Sequence, residues 1–239
     1  MRILVTGGAG FLGSHLCDKL IAGGNFVICM DNFYSGRKKN IRHLLDTKKF
    51  DFINHDITEP FNITVDQIYN LASPAAPDDY KRDPKMTLTI NTVGIENVLN
   101  LAKKLNIPMF QASTVRVYDN ANGNPYINGK KLAEKLCLKY PKAKIGRLHS
   151  TFGVRMSSRD SRVMPSFIRK ALKGEDLTVY ENKLDKFCCV DDMINEIVEF
   201  MNSGQFGIKE LGRPFEISIF ELAKLIIEVT NSKSKIIIN

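Results

Sequence analysis

The sequence predicts an α/β fold built on a doubly wound parallel sheet. Short apolar runs rich in β-branched residues recur with helix-length segments between them, the order expected of parallel strands joined by crossover helices. A glycine cluster falls between the first apolar run and the first helical segment. The 239 residues, 44% hydrophobic and 25% charged, suffice to bury the core of one large domain plus a small lobe.

The elements follow in order. Strands are expected at Arg2–Thr6, Phe26–Met30, Phe50–Asn54, Val65–Leu71, Pro108–Ala112 and Lys144–Leu148. A helix over Phe11–Ala22 lies between the first two, and Gly23-Gly24 ends it. Further helices are expected at Pro84–Leu105, Tyr126–Lys139, Val163–Lys173, Val190–Ser203 and Ile217–Thr230. Past Arg155 the regular alternation lapses. Residues 1–155 are therefore expected to form a dinucleotide-binding domain to which some later segments return, and 156–239 a small substrate lobe over the carboxyl ends of the strands.

Lys and Arg number 34 against 26 Asp and Glu, a formal charge of +8 that raises the question of an anionic partner. The basic residues come as scattered pairs such as Lys38-Lys39 and Lys130-Lys131 rather than as one stripe, which fits solvated surface and argues against nucleic acid. No apolar run reaches the ~18 residues of a membrane span, and the amino terminus lacks the pattern of a secretory leader. A cytoplasmic protein with no membrane partner is expected. Five cysteines show neither a C-x-x-C pair nor a histidine at ligand spacing, so neither a disulfide framework nor a metal site is expected.

Thr6-Gly7-Gly8-Ala9-Gly10-Phe11-Leu12-Gly13 carries the first functional signal. Gly7 and Gly8 permit a tight turn, Gly10 lets backbone approach a pyrophosphate, and Gly13 lets helix pack close to strand. A plain strand-to-helix turn is the competing reading. Asp31 ends the second strand 18 residues after Gly13, near the ~20 expected of the carboxylate that binds the adenosine ribose. Its charge repels a 2′-phosphate and favours NAD over NADP, a preference that the nearby Arg37 and Lys38 soften. Asp56-Ile57 and Asn70-Leu71-Ala72-Ser73 fall at the ends of the next two strands, where they fit either simple turns or the walls of an adenine and ribose crevice.

Tyr126-Ile127-Asn128-Gly129-Lys130 puts a phenol and an ammonium four apart, on one helical face. Lowering a phenol from pKa ~10 towards ~7 for general-base work takes about 4 kcal/mol of preferential phenolate stabilisation, which a nearby Lys⁺ and an oxidised nicotinamide supply. Thr114, at the end of the fifth strand, offers a hydroxyl that orients a substrate alcohol.

Together with these motifs, longer strings carry a family resemblance: Asp31-Asn32-Phe33-Tyr34-Ser35-Gly36-Arg37, Ile53-Asn54-His55-Asp56, Asp66 through Ala75, Asn91-Thr92-Val93-Gly94, Thr151 through Met156 and Leu177-Thr178-Val179-Tyr180. From Met1 almost to Asn239 the chain resembles the extended short-chain dehydrogenase/reductase superfamily, and within it the UDP-glucuronate decarboxylases. The resemblance implies a Rossmann-like fold with a truncated carboxyl-terminal lobe, a homodimer paired through Pro84–Leu105 and Tyr126–Lys139, and NAD retained through turnover. It further implies oxidation of a UDP-sugar at C4, loss of CO₂ and return of hydride to give UDP-xylose. Tyr126 would be the base, Lys130 its electrostatic partner and Thr114 the orienting hydroxyl. NAD would be held by Gly7, Gly10, Phe11, Leu12 and Gly13, by Asp31, Asn32, Phe33, Ser35 and Gly36, by Asp56, Ile57, Leu71, Ala72 and Ser73, and by Tyr126 and Lys130. Pro74, Ser150, Arg155, Arg162 and Tyr180 would meet the UDP-sugar, although a surface arginine is an equal reading for each of the two arginines.

The departures concentrate at the chemistry. The decarboxylases carry a Ser-Glu pair after the threonine, where this chain has Val115 and Arg116. The connection to the catalytic helix has shrunk to Asp119 through Pro125, leaving Thr114 and Tyr126 only 12 residues apart. Retention of Tyr126, Lys130 and Thr114 speaks for an active nucleotide-sugar enzyme, either a decarboxylase or a C4 epimerase or reductase. Loss of the carboxylate and of the loop speaks for an impaired relative that keeps NAD and serves a binding role.

Overall fold

A computed structural model describes residues 1–120 and 123–239; Ala121 and Asn122, within the short connection noted above, lie outside the described residues. The central sheet is built from β1 (Arg2–Thr6), β2 (Phe26–Met30), β3 (Phe50–Ile53), β4 (Gln67–Asn70), β5 (Met109–Thr114) and β6 (Ala143–Leu148), with a late seventh strand, Gly207–Leu211. Its order from one edge is β3, β2, β1, β4, β5, β6 and then the late strand, and every neighbouring pair is parallel. Because β1 lies between β2 and β4, the chain reverses its direction of winding there. A crevice opens at the carboxyl ends of β1 and β4.

Both faces of the sheet are covered, as a parallel sheet requires. One face packs Ile3, Val5, Val27 and Phe110 against α1 (Phe11–Ala22) and the later helix Val190–Asn202. The other packs Leu4, Ile28, Ile68 and Ile145 against helices before and after β5. These helices are α3 (Pro84–Thr89), α4 (Ile95–Leu105) and α5 (Pro125–Cys137), and the short α2 (Pro77–Arg82) precedes them and packs on α3 and α5. The continuous helix expected over Pro84–Leu105 is interrupted by a π-turn at Ile90–Gly94. At that turn the buried Asn91 donates to Ser73 Oγ at 3.0 Å and to the Thr87 carbonyl at 2.8 Å, and a Cβ on Gly94 would strike Ile57 Cδ1 at 2.8 Å. Periodicity cannot register a turn set by such tertiary contacts. The short α2 also escapes it, since six residues opened by Pro77 are too few to show a helical repeat.

Beyond β6 come β7 (Ser150–Phe152), α6 (Val163–Leu172), β8 (Leu177–Val179), β9 (Leu184–Cys189), α7 (Val190–Asn202), β10 (Gly207–Leu211), β11 (Phe215–Ser218), α8 (Ile219–Val229) and β12 (Ile236–Ile238). Here α7 and β10 return to the large sheet. The remainder forms a small body in which Phe167, Leu177, Phe187 and Leu222 share a separate core, with β9 between β7 and β11 and with β8 beside β12. No helix among the described residues is long and apolar enough to cross a membrane.

Candidate active site

The loop between β1 and α1 shows why glycine is needed. Gly7 has φ of +68°, and a Cβ there would also meet the backbone of Ala72 at 2.7 Å. A Cβ on Gly13 would lie 2.1 Å from the Gly7 carbonyl oxygen and 2.8 Å from Gly8 Cα. The first N–H groups of α1 thus face a cleft lined by Gly7, Gly10, Phe11, Leu12 and Gly13. Overpacking of this kind costs about 1–3 kcal/mol. Gly13→Ala is therefore expected to weaken dinucleotide binding roughly 10- to 100-fold by titration calorimetry.

Asp31, 7% exposed, accepts the N–H of Ala9 at 3.0 Å and of Phe33 at 2.8 Å. Burial pushes its carboxyl up, and those two N–H groups oppose the shift. It borders a cavity with Asn32, Ser35, Gly36, Asp56, Ile57, Leu71, Ala72, Ser73 and Pro74, which adjoins the glycine-loop cleft. A bare backbone cradle, a helix amino terminus and a strand-end carboxylate in that order fit an adenine dinucleotide. Phe33 is the exception among the expected cofactor residues. It lines none of the cavities described here, because with φ of +59° its ring turns to stack on Phe52 at 5.0 Å.

Thr114, Tyr126 and Lys130 meet across the same cleft. Asn124 caps α5 by accepting the N–H groups of Tyr126 at 3.0 Å and Ile127 at 3.1 Å, and Pro125 stands in the first turn. That cap fixes Tyr126 at the mouth of the helix. Its ring stacks on Tyr80 of α2 at 5.6 Å, a neighbour that sequence reasoning missed with the helix carrying it. Burial raises the Tyr126 phenol; the Arg162 guanidinium, a hydrogen bond with Thr114 and the Arg116 guanidinium pull it back down.

Lys130 occupies the expected face, but its ammonium donates to the Ala112 carbonyl at 2.9 Å and stands 5.7 Å from the Tyr126 ring centre. It closes a buried polar chain in which Thr6 donates to Asn70, Asn70 donates to Gln111 at 2.8 Å, and Gln111 donates to the same Ala112 carbonyl at 2.9 Å. Burial pulls the Lys130 pKa from 10.5 down to about 8. Below pH 8 both the folded and the unfolded chain hold that proton, so the cost of the buried charge is fully present. Between 8 and 10.5 only the unfolded chain holds it, and stability rises with pH. Against a Lys130→Met variant, chemical denaturation is expected to show wild-type stability gaining about 3 kcal/mol across that window.

The expected sugar-nucleotide residues divide. Ser150 and Arg162 line both the main cleft and a second cavity that continues from it under the small body. Pro74 lies on the Asp31 side instead. Arg155 lies on the α1 side of the cleft, its guanidinium 2.6 Å from Asp18 of that helix, while His15 bonds the neighbouring Val154 carbonyl at 3.0 Å. Tyr180 is 77% exposed and lines none of these cavities. Strand alternation accounts for it: Leu177 and Val179 point into the small core, so the residue at 180 points out.

The model of the NAD dependent epimerase/dehydratase family matches residues 3–212. UDP-glucuronic acid decarboxylase 1 of Danio rerio is 42% identical over 259 residues, an alignment spanning 98% of this chain and 62% of that one. UDP-glucuronic acid decarboxylase 6 of Arabidopsis thaliana is 40% identical over 96% of this chain and 74% of that one. The chain thus spans about three fifths of the length of the first of these relatives. Among solved structures, UDP-N-acetylglucosamine 4-epimerase from Methanobrevibacter ruminantium superposes with a TM-score of 0.90 at 22% identity, over 100% of this chain and 84% of that one. UDP-glucose 4-epimerase from Thermotoga maritima gives 0.86 at 23%, over 100% and 85%.

Proposed function

The chain belongs to the NAD dependent epimerase/dehydratase family, and from that membership we propose that it is an NAD-dependent enzyme acting at C4 of a UDP-sugar, in the manner of the UDP-glucuronate decarboxylases it resembles. The observation that carries the reading is the meeting of Thr114, Tyr126 and Lys130 in a cleft that continues past Arg116 and Ser150. Relatives at about 40% identity that bear the decarboxylase name support UDP-glucuronate as the substrate.

In this reading Gly7, Gly10, Phe11, Leu12 and Gly13 bind the pyrophosphate of NAD, Asp31 the adenosine ribose, and Asp56, Ile57, Leu71, Ala72 and Ser73 the adenine side. Bound NAD would supply a reversible hydride acceptor for C4, and its nicotinamide charge would favour the phenolate form of Tyr126. Thr114 orients the C4 hydroxyl and Tyr126 accepts its proton. Lys130, fixed on the Ala112 carbonyl, holds positive charge behind that proton transfer. Ser150 and Arg162 face the nucleotide diphosphate. The small body serves as substrate lobe, and the pairing of two copies through the segments Pro84–Leu105 and Tyr126–Lys139 leaves Val93 and Leu132 facing a partner instead of water.

Incubation of the pure protein with NAD and UDP-glucuronate, followed by mass spectrometry, tests the proposal. UDP-xylose, or a 4-keto sugar with NADH, is the expected product. Absence of every product, with NAD still bound, overturns the enzymatic reading in favour of the impaired relative.

A further inference from the structure

Arg116 stands on the wall shared by the main cleft and the cavity under the small body. The turn Val115–Tyr118 carries it directly behind Thr114, whose Oγ1 accepts the Arg116 backbone N–H at 3.3 Å. Its side chain therefore sits at the reacting end of the cleft. The guanidinium spends only Nε on the protein, donating to Asp119 Oδ2 at 3.0 Å, and that pair is half-exposed. Among the described residues its two terminal nitrogens donate no hydrogen bond.

Arg162, on the same wall, is differently placed. It makes three contacts to the buried carboxylate of Asp160, at 3.0, 3.0 and 2.6 Å, so its charge is already matched. Further out the lining mixes Lys183 and Lys186 with Asp185 and Glu216, and Lys183 pairs with Glu181 at 3.1 Å. On that shared wall, among the described residues, Arg116 is left as the guanidinium with a free planar edge beside Thr114. Such an edge suits a carboxylate, which it holds with two parallel N–H bonds.

We propose that Arg116 selects an acidic sugar, its free guanidinium edge binding the sugar carboxylate while Thr114 and Tyr126 face the hydroxyl that reacts. The assignment rests on the UDP-sugar reading of the site. It separates Arg116 from a diphosphate ligand, because a residue that binds the diphosphate serves every UDP compound alike.

Titration calorimetry of the NAD-loaded protein with UDP, UDP-glucose and UDP-glucuronate provides the test, on wild type, Arg116→Gln and Arg116→Glu. Wild type is expected to bind UDP-glucuronate roughly 10- to 100-fold more tightly than UDP-glucose, the range of a charge-assisted pair of hydrogen bonds. In Arg116→Gln and in Arg116→Glu that preference shrinks to within about 3-fold, while UDP itself binds all three proteins alike. Unchanged NAD affinity shows that both variants are folded. Equal affinity of wild type for the two sugars, or equal weakening of all three nucleotides by Arg116→Gln, overturns the assignment and leaves the UDP-sugar reading standing. Failure of an NAD-binding wild type to take up any of the three removes that reading, and the assignment with it.

Discussion

Replacing Tyr126 by phenylalanine is expected to lower turnover on UDP-glucuronate by about 10²- to 10⁴-fold, the span attributed to a positioned general base. NAD affinity, read by titration calorimetry, should stay within about 2-fold, since the ring and its stacking on Tyr80 survive and only the hydroxyl is lost. The structure sharpens why the hydroxyl matters. Burial works against ionisation of this phenol, and what opposes burial is Arg162, the hydrogen bond with Thr114 and Arg116. The Lys130 ammonium is tied to the Ala112 carbonyl and stands 5.7 Å from the ring centre. The tyrosine therefore depends on cations brought by β5's end and by the segment before α6, as well as on its own helix. A Tyr126→Phe enzyme that kept full activity would mean that another group takes the proton.

How far an element is legible in the sequence depends on whether its cause is local. The glycine loop was legible because Gly7 and Gly13 answer to a strand-turn-helix that is contiguous in sequence, and the 2.1 Å clash at Gly13 is a local clash. Asp31 was legible for the same reason, being the last residue before a turn. The Asn124 cap and Pro125 start α5 one residue before the expected Tyr126. Where distant segments meet, the pattern failed. The strand β8 exists through its parallel pairing with β12, whose residues begin 57 positions after its last, from Val179 to Ile236. A three-residue strand of that kind has no period to read. Phe33 and Tyr180 share the cause: each belongs to a string typical of the family, yet the direction of its side chain is set by Phe52 in one case and by strand alternation in the other. Likewise Y-x-x-x-K spacing placed Lys130 on the right face of α5, while its hydrogen-bond partner was decided by β5.

The same dependence of the site on contacts across elements makes Glu134 the residue whose loss should cost most stability. It lies one turn beyond Lys130 on α5, 5% exposed, and receives hydrogen bonds from three donors. Ser113 donates at 2.5 Å from the residue before Thr114, and Arg147 of β6 donates in a bidentate fork at 2.9 and 2.6 Å. Arg147 also reaches the Tyr118 hydroxyl at 2.7 Å, and Tyr118 in turn donates to Glu210 of β10 at 2.7 Å. Removing the glutamate strands a largely buried guanidinium and a buried serine hydroxyl together. Truncation of one partner of such a pair costs about 3–5 kcal/mol, so Glu134→Ala should shift the denaturation midpoint far below that of wild type. Glu134→Gln keeps an acceptor for one donor and should lose less. If burial of the lone charge is the cause, Glu134→Leu combined with Arg147→Met should recover much of the loss, because neither charge is then left without its partner. A double variant no more stable than Glu134→Ala would assign the loss to packing. In the surviving fraction of folded Glu134→Gln, turnover should fall more than NAD affinity, since Ser113 and Glu134 together fix Thr114 of β5 against Tyr126 of α5, while the glycine loop stands apart from them.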